Sequence, residues 1–312
     1  MARCLITRAL PGHAPGRLVE AGHEVDVGNE PLPPTHEQLL ELAPRFEALL
    51  TMLTDPVDEE VIAAAPGLRA IANYAVGTDN IDLEAATARG IPVGNTPDVL
   101  TETTADLALA LMLALMRRLR EGEDEVRAGE WVTWEPARLL GRDLHGATVL
   151  VVGAGRIGRA VTRRLEGFGC RMLTAGRGDS LDPLLAEADV VTLHCPLTPE
   201  TRGLIGAEQF AAMKPTAYLV NTARGPIVDT GALVAALHGE EIAGAALDVT
   251  DPEPLPADHP LTRAPGLLVV PHIASATHAT REAMADMAVD NLLAALAGER
   301  MPHCANPEVY ER

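Results

Sequence analysis

The chain has 312 residues, of which 47% are hydrophobic and 22% charged, and these proportions exclude a disordered chain, a collagen-like fibre and a disulfide scaffold. Its formal net charge of −19 is the opposite of what a generic nucleic-acid binder or anionic-membrane binder carries. The length predicts two domains, and the composition indicates a protein that handles small molecules.

Four cysteines lie far apart without a C-x-x-C pair, so we predict neither a metal site nor a disulfide framework. The N-terminus lacks the apolar core of a signal peptide. The most apolar run, residues 107–116, is shorter than the roughly 20 residues that span a bilayer. We therefore expect a cytoplasmic protein without membrane or nucleic-acid partners.

Short apolar runs alternate with helical patterns along the whole chain. The first series has predicted strands at 4–7, 24–27, 47–53, 68–74 and 91–93, a helix at 16–21 and a proline-rich loop at 28–34. A long helix follows at 104–120, with the capping-box spacing of Thr103 and Asp106, and then an irregular segment at 121–143. The second series has predicted strands at 147–152, 171–174, 189–194, 217–221, 243–248 and 267–271, and helices at 156–168 and 279–296.

This alternation predicts an α/β fold with two doubly wound parallel sheets. The final helix is placed to return to the first domain, which would then be discontinuous. We assign residues 1–99 plus 281–312 to the first domain and residues 100–280 to the second.

A G-x-G-x-x-G motif, formed by Gly153, Gly155 and Gly158, follows a predicted strand and opens a helix. In dinucleotide-binding proteins the first glycine permits a tight turn, the second lets the backbone approach the pyrophosphate, and the third allows close packing of helix on strand. The amides and dipole of the helix then face the phosphates. A purely structural glycine turn is the alternative interpretation.

The next strand ends at Gly176 and Arg177, where an NAD-dependent protein normally has an acidic residue for the ribose hydroxyl. An arginine can instead bind a 2′-phosphate, so we predict that NADPH is preferred, with NADH as the alternative cofactor. If Arg177 were only a solvated loop residue, Asp179 would bind the ribose.

Arg224, Glu253 and His272 follow three strands of the second series. The carboxyl ends of parallel strands form the ligand-binding edge of such a sheet, so these side chains should meet there. A histidine can protonate the alkoxide that hydride reduction creates, a carboxylate can orient the imidazole, and an arginine can bind the substrate carboxylate. Taken singly, each has a structural alternative as a surface ion pair, a solvated loop residue or a buried histidine.

These residues lie in segments that occur in family order along most of the chain: NYAVGTDNID, VVGAGRIGRAV, NTARGPIVD and PHIASATHATR. Through them the chain resembles the D-isomer-specific 2-hydroxyacid dehydrogenases, above all the glyoxylate/hydroxypyruvate reductase branch. The resemblance implies a flavodoxin-like substrate domain and a Rossmann nucleotide-binding domain, with the active site between them.

The resemblance also implies residue roles. Arg224 binds substrate, Glu253 pairs with His272, and His272 is the acid/base. The expected substrate contacts are the backbone of Val76 and Gly77, the side chain of Ser275, and Trp134 contributed by a neighbouring subunit. The expected cofactor contacts are Thr104, Gly153, Gly155, Arg156, Ile157, Gly158, Gly176, Arg177, Pro196, Thr222 and Asp248.

The function expected from the resemblance is an NADPH-preferring reduction of glyoxylate to glycolate and of hydroxypyruvate to D-glycerate by a homodimer. Two alternatives remain open at the sequence level. One is an NAD-linked dehydrogenase of another D-2-hydroxy acid, such as phosphoglycerate. The other is a non-catalytic nucleotide-sensing protein, which the intact set of Arg224, Glu253 and His272 disfavours.

Overall fold

The computed structural model describes residues 1–28 and 32–311. The chain divides into two compact units, the first formed by Met1–Leu100 and Ala276–Arg312, and the second by Thr101–Ser275. The boundaries expected from sequence were 99/100 and 280/281. The second division falls before the last helix because that helix, its capping residue Thr277 included, packs within the first unit.

The described part of the first unit has a five-stranded parallel sheet in the order β2-β1-β3-β4-β5. This is the flavodoxin-like order, with a switch of direction between β1 and β3. Its strands are β1 (Arg3–Ile6), β2 (Glu24–Val27), β3 (Ala48–Thr51), β4 (Ala70–Asn73) and β5 (Val93–Gly94). Its helices are α1 (Ala14–Glu20), α2 (His36–Leu42), α3 (Glu59–Ala64), α4 (Leu83–Ala88) and α11 (His278–Leu296).

The described part of the second unit has a six-stranded parallel sheet in the order β11-β10-β9-β8-β6-β7. Its strands are β6 (Thr148–Val152), β7 (Arg171–Ala175), β8 (Val190–Leu193), β9 (Tyr218–Asn221), β10 (Gly244–Leu247) and β11 (Leu267–Val269). Its helices are α5 (Thr101–Met116), α6 (Leu119–Ala128), α7 (Arg156–Glu166), α8 (Asp182–Glu187), α9 (Ala207–Ala212) and α10 (Thr230–His238). Strand order reverses between β6 and β8, which places the ligand crevice of this sheet at their carboxyl ends.

Each sheet is buried on both faces, as apolar strands without polar alternation require. In the first unit Leu49 packs into the core on one face, and its neighbour Leu50 packs into the core on the other face. Short helices are fixed at their starts by side chains that accept a hydrogen bond from the first turn, as Asp58 and Asp82 do for α3 and α4. The predicted fold class, two doubly wound parallel sheets with helices on both faces, is confirmed.

The helix predicted at 104–120 is present, but its ends, its capping box and the segment after it differ from the prediction. The helix expected at 104–120 begins at Thr101, so Thr103 lies inside it and cannot form a capping box with Asp106. The chain breaks at Arg118, whose φ of 52° is left-handed, and a second helix then continues to Ala128 through the segment expected to be irregular.

The remaining predicted elements shift by a few residues at their ends, as hydrogen bonding at strand and helix ends decides. The predicted loop at 28–34 includes residues 29–31, which lie outside the described residues. Among the residues that the structure describes, none of the helices combines the length and the apolar character that crossing a bilayer requires.

Candidate functional site

The glycine motif forms the turn between β6 and α7. Gly153 has a φ of 99°, and a β-carbon there would lie 2.6 Å from the backbone nitrogen of Cys195. Gly158 packs so closely that a β-carbon would collide with the carbonyl oxygen of Gly153. Gly155 has open space around its α-carbon. The first and third glycines are therefore required by packing, and the second leaves the turn accessible.

The start of α7 fits a dinucleotide phosphate. The helix has Gly155 as its N-cap, no side-chain cap and no acidic residue in its first turn. Within the described chain, the amides of Gly155 and Ile157 donate no hydrogen bond. Open amide donors at the positive end of a helix of 11 residues match the requirements of a pyrophosphate. Arg156 stands on the same turn.

The carboxyl end of β7 carries Gly176 and Arg177, both exposed. The carboxylate of Asp179 accepts a hydrogen bond of 2.7 Å from the amide of Gly176, so this acid is folded against the turn. Hydrogen bonds to Thr198 and to the backbone lower the pKa of the Glu200 carboxyl. The positive charge of nearby Arg177 contributes less, in the same direction.

His272 and Glu253 form the central pair of the site. The imidazole Nδ1–H donates to Glu253 Oε1 over 2.6 Å, and the Glu253 Oε2 accepts from the amide of Thr250 over 3.3 Å. Burial acts to raise the pKa of Glu253, but the bond and the charge of His272 outweigh it and leave that pKa below the ordinary value. Because Nδ1 is held by the carboxylate, Nε2 is the ring nitrogen available for proton transfer.

Asp248 fixes the backbone around His272. Its two carboxylate oxygens accept from the amides of Ile273 and Ala274 at 2.6 and 3.0 Å, and its carbonyl accepts from the amide of His272 at 2.8 Å. Burial raises the pKa of Asp248, while the amide of Ile273 acts in the opposite direction. The expected contact of Asp248 with a nicotinamide stays a prediction.

Arg224 is placed by the turn that follows β9. The buried side chain of Asn221 donates to the Arg224 carbonyl over 2.8 Å and accepts from the amide of Ala223 over 3.0 Å. The next residue, Gly225, lies so close to the Thr250 carbonyl that no β-carbon fits there. The turn after β9 is thus packed against the loop that carries Glu253.

Within the first unit, Val76 and Gly77 lie in the half-buried turn after β4. In the described part of the chain neither amide donates a hydrogen bond to protein, and the same is true of Thr78. Three consecutive open N–H groups can receive a carboxylate.

The other expected residues are distributed as follows. Thr104 is buried in the first turn of α5, and Ser275 is buried at the end of the second unit. Pro196 and Thr222 follow β8 and β9. Trp134 is 77% exposed in the segment after α6.

Sequence reasoning missed His194, which directly follows β8. Its Nε2 lies 2.9 Å from the Thr192 hydroxyl and its Nδ1 lies 3.5 Å from the hydroxyl of Thr222. Burial lowers the pKa of His194 to about 4, so the ring is neutral at neutral pH. Its position at the carboxyl end of a predicted strand was the signal that could have identified it.

Comparisons with known proteins show which family and which solved structures the chain resembles. The family model of the NAD-binding domain of D-isomer specific 2-hydroxyacid dehydrogenases matches residues 109–274. A glyoxylate reductase of Korarchaeum cryptofilum (strain OPF8) is 47% identical, and the alignment covers 99% of this chain and 97% of that protein.

Two solved structures show the same fold. The TT0316 protein from Thermus thermophilus superposes with a TM-score of 0.93 at 51% identity, covering 97% of this chain and 99% of that one. An NADPH-dependent glyoxylate/hydroxypyruvate reductase from Sinorhizobium meliloti, in complex with NADP and malonate, gives 0.85 at 33% identity, with 98% and 97% covered.

Proposed function

Because the chain belongs to the D-isomer-specific 2-hydroxyacid dehydrogenases, we propose that it is an NADPH-preferring reductase of small 2-oxo acids. The substrates are glyoxylate, reduced to glycolate, and hydroxypyruvate, reduced to D-glycerate. This choice is supported by two relatives, the glyoxylate reductase of Korarchaeum cryptofilum and the NADPH-dependent glyoxylate/hydroxypyruvate reductase of Sinorhizobium meliloti. A nicotinamide cofactor, when bound, supplies the hydride that adds to C2 of the acid.

The hydrogen bond of 2.6 Å between His272 and Glu253 carries the proposal. Reduction places negative charge on the carbonyl oxygen, and the imidazolium of His272 donates a proton from Nε2 to that oxygen. Glu253 stabilises the charged ring and keeps its tautomer and orientation fixed during the transfer. In the oxidative direction the neutral ring takes the proton back.

The substrate carboxylate is bound by the Arg224 guanidinium and by the amides of Val76 and Gly77. Charge-assisted hydrogen bonds of this kind contribute roughly 1.5–3 kcal/mol each. Arg224 also polarises the substrate carbonyl, which makes C2 more electrophilic. Ser275 completes the substrate contacts. The turn after β9 and the open amides after β4 support these assignments.

The glycine turn would hold the pyrophosphate of NADPH, and Gly176 and Arg177 would hold its 2′-phosphate. The support is that the first acid beyond β7, Asp179, has its carboxylate turned onto the Gly176 amide. Gly176 provides no negative charge to repel the phosphate, and Arg177 provides a positive one. The further cofactor contacts are Thr104, Gly153, Gly155, Arg156, Ile157, Gly158, Pro196, Thr222 and Asp248.

The cofactor assignment predicts the behaviour of a double variant, Gly176→Asp with Arg177→Ala. We expect the KM for NADPH to rise tenfold or more and the kcat/KM with NADH to increase, since a carboxylate there repels the phosphate and accepts from the ribose hydroxyl. A β-carbon at Gly176 meets only the Asp179 side chain, at 3.7 Å, so the change fits the turn.

Arg171→Ala is the matched control, because Arg171 is exposed at the opposite end of the same strand. Its cofactor preference should stay that of the wild type. Unchanged selectivity in the double variant would remove the argument for Arg177, and a loss of NADH binding in Asp179→Ala would assign the ribose to Asp179 instead.

The functional form is a homodimer in which Trp134 of one subunit completes the substrate pocket of the other. Its support is the exposure of three large apolar side chains in one short segment, Trp131 at 62%, Val132 at 90% and Trp134 at 77%. Sedimentation equilibrium tests it, since a monomer at micromolar concentration contradicts it.

The experiment that tests the function is a matrix of initial rates for glyoxylate, hydroxypyruvate, pyruvate and phosphohydroxypyruvate with NADPH and with NADH. The proposal predicts the highest kcat/KM for glyoxylate or hydroxypyruvate with NADPH. A preference for the phosphorylated acid with NADH would identify a different dehydrogenase. Cofactor binding without turnover of any acid would identify a sensing protein.

A further inference from the structure

We propose that Asn95 and Asn73 are positioning residues that turn the amide N–H groups of Gly77 and Thr78, respectively, towards the substrate carboxylate. This inference rests on the proposed function, because it deepens the role of the same carboxylate-binding turn. The segment Ala75–Thr78 is called the amide turn below.

Three peptide groups of the amide turn have an N–H that donates to no described residue. The carbonyl oxygen of each of these peptide groups accepts a hydrogen bond from a donor within the first unit. The Ala75 carbonyl accepts from the amide of Thr96 over 2.8 Å. The Val76 carbonyl accepts from the side-chain amide of Asn95 over 2.8 Å, and the Gly77 carbonyl accepts from that of Asn73 over 2.9 Å.

Peptide planarity converts these three bonds into a direction for the N–H groups. In a trans peptide the N–H points opposite to the carbonyl of the preceding residue. Each held carbonyl, that of Ala75, Val76 or Gly77, therefore directs the N–H of the following residue away from the donor that holds the carbonyl. None of these three amides has a partner among the residues that the structure describes.

Each asparagine is itself fixed. Asn73 is fully buried, and its Oδ1 accepts from the Thr51 hydroxyl at 3.2 Å and from the Asn80 side-chain amide at 3.4 Å, which directs its Nδ2 to Gly77. The backbone of Asn95 is held from the C-terminal segment, because its amide donates to the His303 carbonyl and its carbonyl accepts from Asn291.

Neutral side chains suit this task. An asparagine donates to a carbonyl without adding a charge beside the substrate, so the affinity for the carboxylate comes from the backbone amides. If the donor is removed, the peptide between Val76 and Gly77 is free to rotate. It can then present its carbonyl oxygen, which repels a carboxylate.

The test compares Asn95→Ala with Asn306→Ala. Asn306 is a matched control because it is a buried asparagine of the same unit that holds the Val93 amide and the Ile91 carbonyl but does not contact the amide turn. Oxalate, an unreactive two-carbon dicarboxylate, is the probe, and its affinity for the NADPH-loaded enzyme is measured by calorimetry. This readout needs no turnover.

For Asn95→Ala we expect the Kd for oxalate and the KM for glyoxylate to rise tenfold or more, about 1.4 kcal/mol, with the KM for NADPH changed less than twofold. Asn306→Ala should lower the melting temperature and leave both carboxylate constants within twofold. Asn73→Ala is the second variant, and it should repeat the effect of Asn95→Ala.

Oxalate affinity that stays at the wild-type value in folded Asn95→Ala and Asn73→Ala overturns the inference, as does an equal loss in Asn306→Ala. Failure of the wild type to reduce any 2-oxo acid would instead overturn the proposed function. That failure is measured by initial rates, whereas the inference about the asparagines is measured by oxalate binding.

Discussion

His272 has a left-handed backbone, with a φ of 52°, at the residue proposed to transfer the proton. A non-glycine residue in this region is held there by its surroundings at a cost of about 1–3 kcal/mol. Asp248 provides the restraint, since its carboxylate takes the two amides that follow His272. The direction of the imidazole therefore depends on a carboxylate that need not touch the substrate.

Asp248→Asn tests this restraint. The new side chain has an NH2 group in place of one carboxylate oxygen. In either orientation this NH2 group faces one of the two backbone N–H groups, which then loses its acceptor. We expect kcat for glyoxylate reduction to fall about 10- to 100-fold, roughly 1.4–2.7 kcal/mol, while the far-UV circular dichroism stays that of the wild type. A kcat within twofold of the wild type would show that His272 holds its conformation without Asp248.

At this scale the sequence predicted which polar side chains follow the strands, and the structure brings His272 and Glu253 into contact. It could not predict the bonds from side chains to distant backbone. The bond from Asn95 to the Val76 carbonyl spans 19 residues, and the bonds of Asp248 reach residues 25 and 26 positions along the chain. Asparagine and aspartate at strand ends give no signal that distinguishes such bonds from solvation.

At the scale of elements, the turn between β6 and α7 shows that its glycines serve separate purposes. Gly158 lets the helix lie directly against the start of the turn, where a side chain would collide with backbone. Gly155 has no such neighbour, and its open space is where a phosphate would approach. The packing requirement and the ligand requirement are thus separable by substitution.

Replacing each of these two glycines with alanine separates the two requirements. Gly158→Ala should lower the free energy of unfolding by about 1–3 kcal/mol through overpacking. Gly155→Ala should keep the wild-type stability in the absence of cofactor, yet raise the Kd for NADPH tenfold or more. Urea unfolding and fluorescence titration measure the two effects, and a stability loss that is equal in both variants would contradict the assignment.

The segment after α5 could not be predicted from the pattern of apolar residues. The apolar run of residues 107–116 identifies a helix, but the break at Arg118 depends on one left-handed residue that composition does not reveal. The following helix, Leu119–Ala128, has no buried residue and is mostly charged, so its composition favoured a polar, irregular segment. A continuous apolar run therefore identifies a buried helix, whereas a mostly charged helix at the surface has no such run to identify it.

For the whole molecule, the net charge of −19 opposes the approach of an anionic acid at long range. Screening over about 8 Å at physiological salt limits this repulsion, so the arginines near the site dominate at short range. The two-sheet architecture was predictable because both sheets are built from continuous apolar strands, which give a strong pattern.

The pH dependence of the free energy of unfolding should report the depressed pKa of His194. The fold depresses its pKa to about 4, whereas the unfolded chain takes up the proton near 6.5, so this residue lowers the free energy of unfolding as pH falls between those values. As pH falls through this range, the free energy of unfolding of His194→Asn should decrease less than that of the wild type. The difference between the two decreases should be at most roughly 3 kcal/mol. His238→Asn, at an exposed site, is the control. If the free energy of unfolding changes equally with pH in all three proteins, the depressed pKa of His194 is contradicted.

The proton transfer by His272 is the central claim, and the kcat of His272→Ala with glyoxylate and NADPH tests it most directly. General acid catalysis is worth about 10²- to 10⁴-fold, so we expect a fall in kcat of that size with a Kd for NADPH within about threefold of the wild type. A variant that binds NADPH normally and keeps its kcat within tenfold would mean that the proton comes from another group.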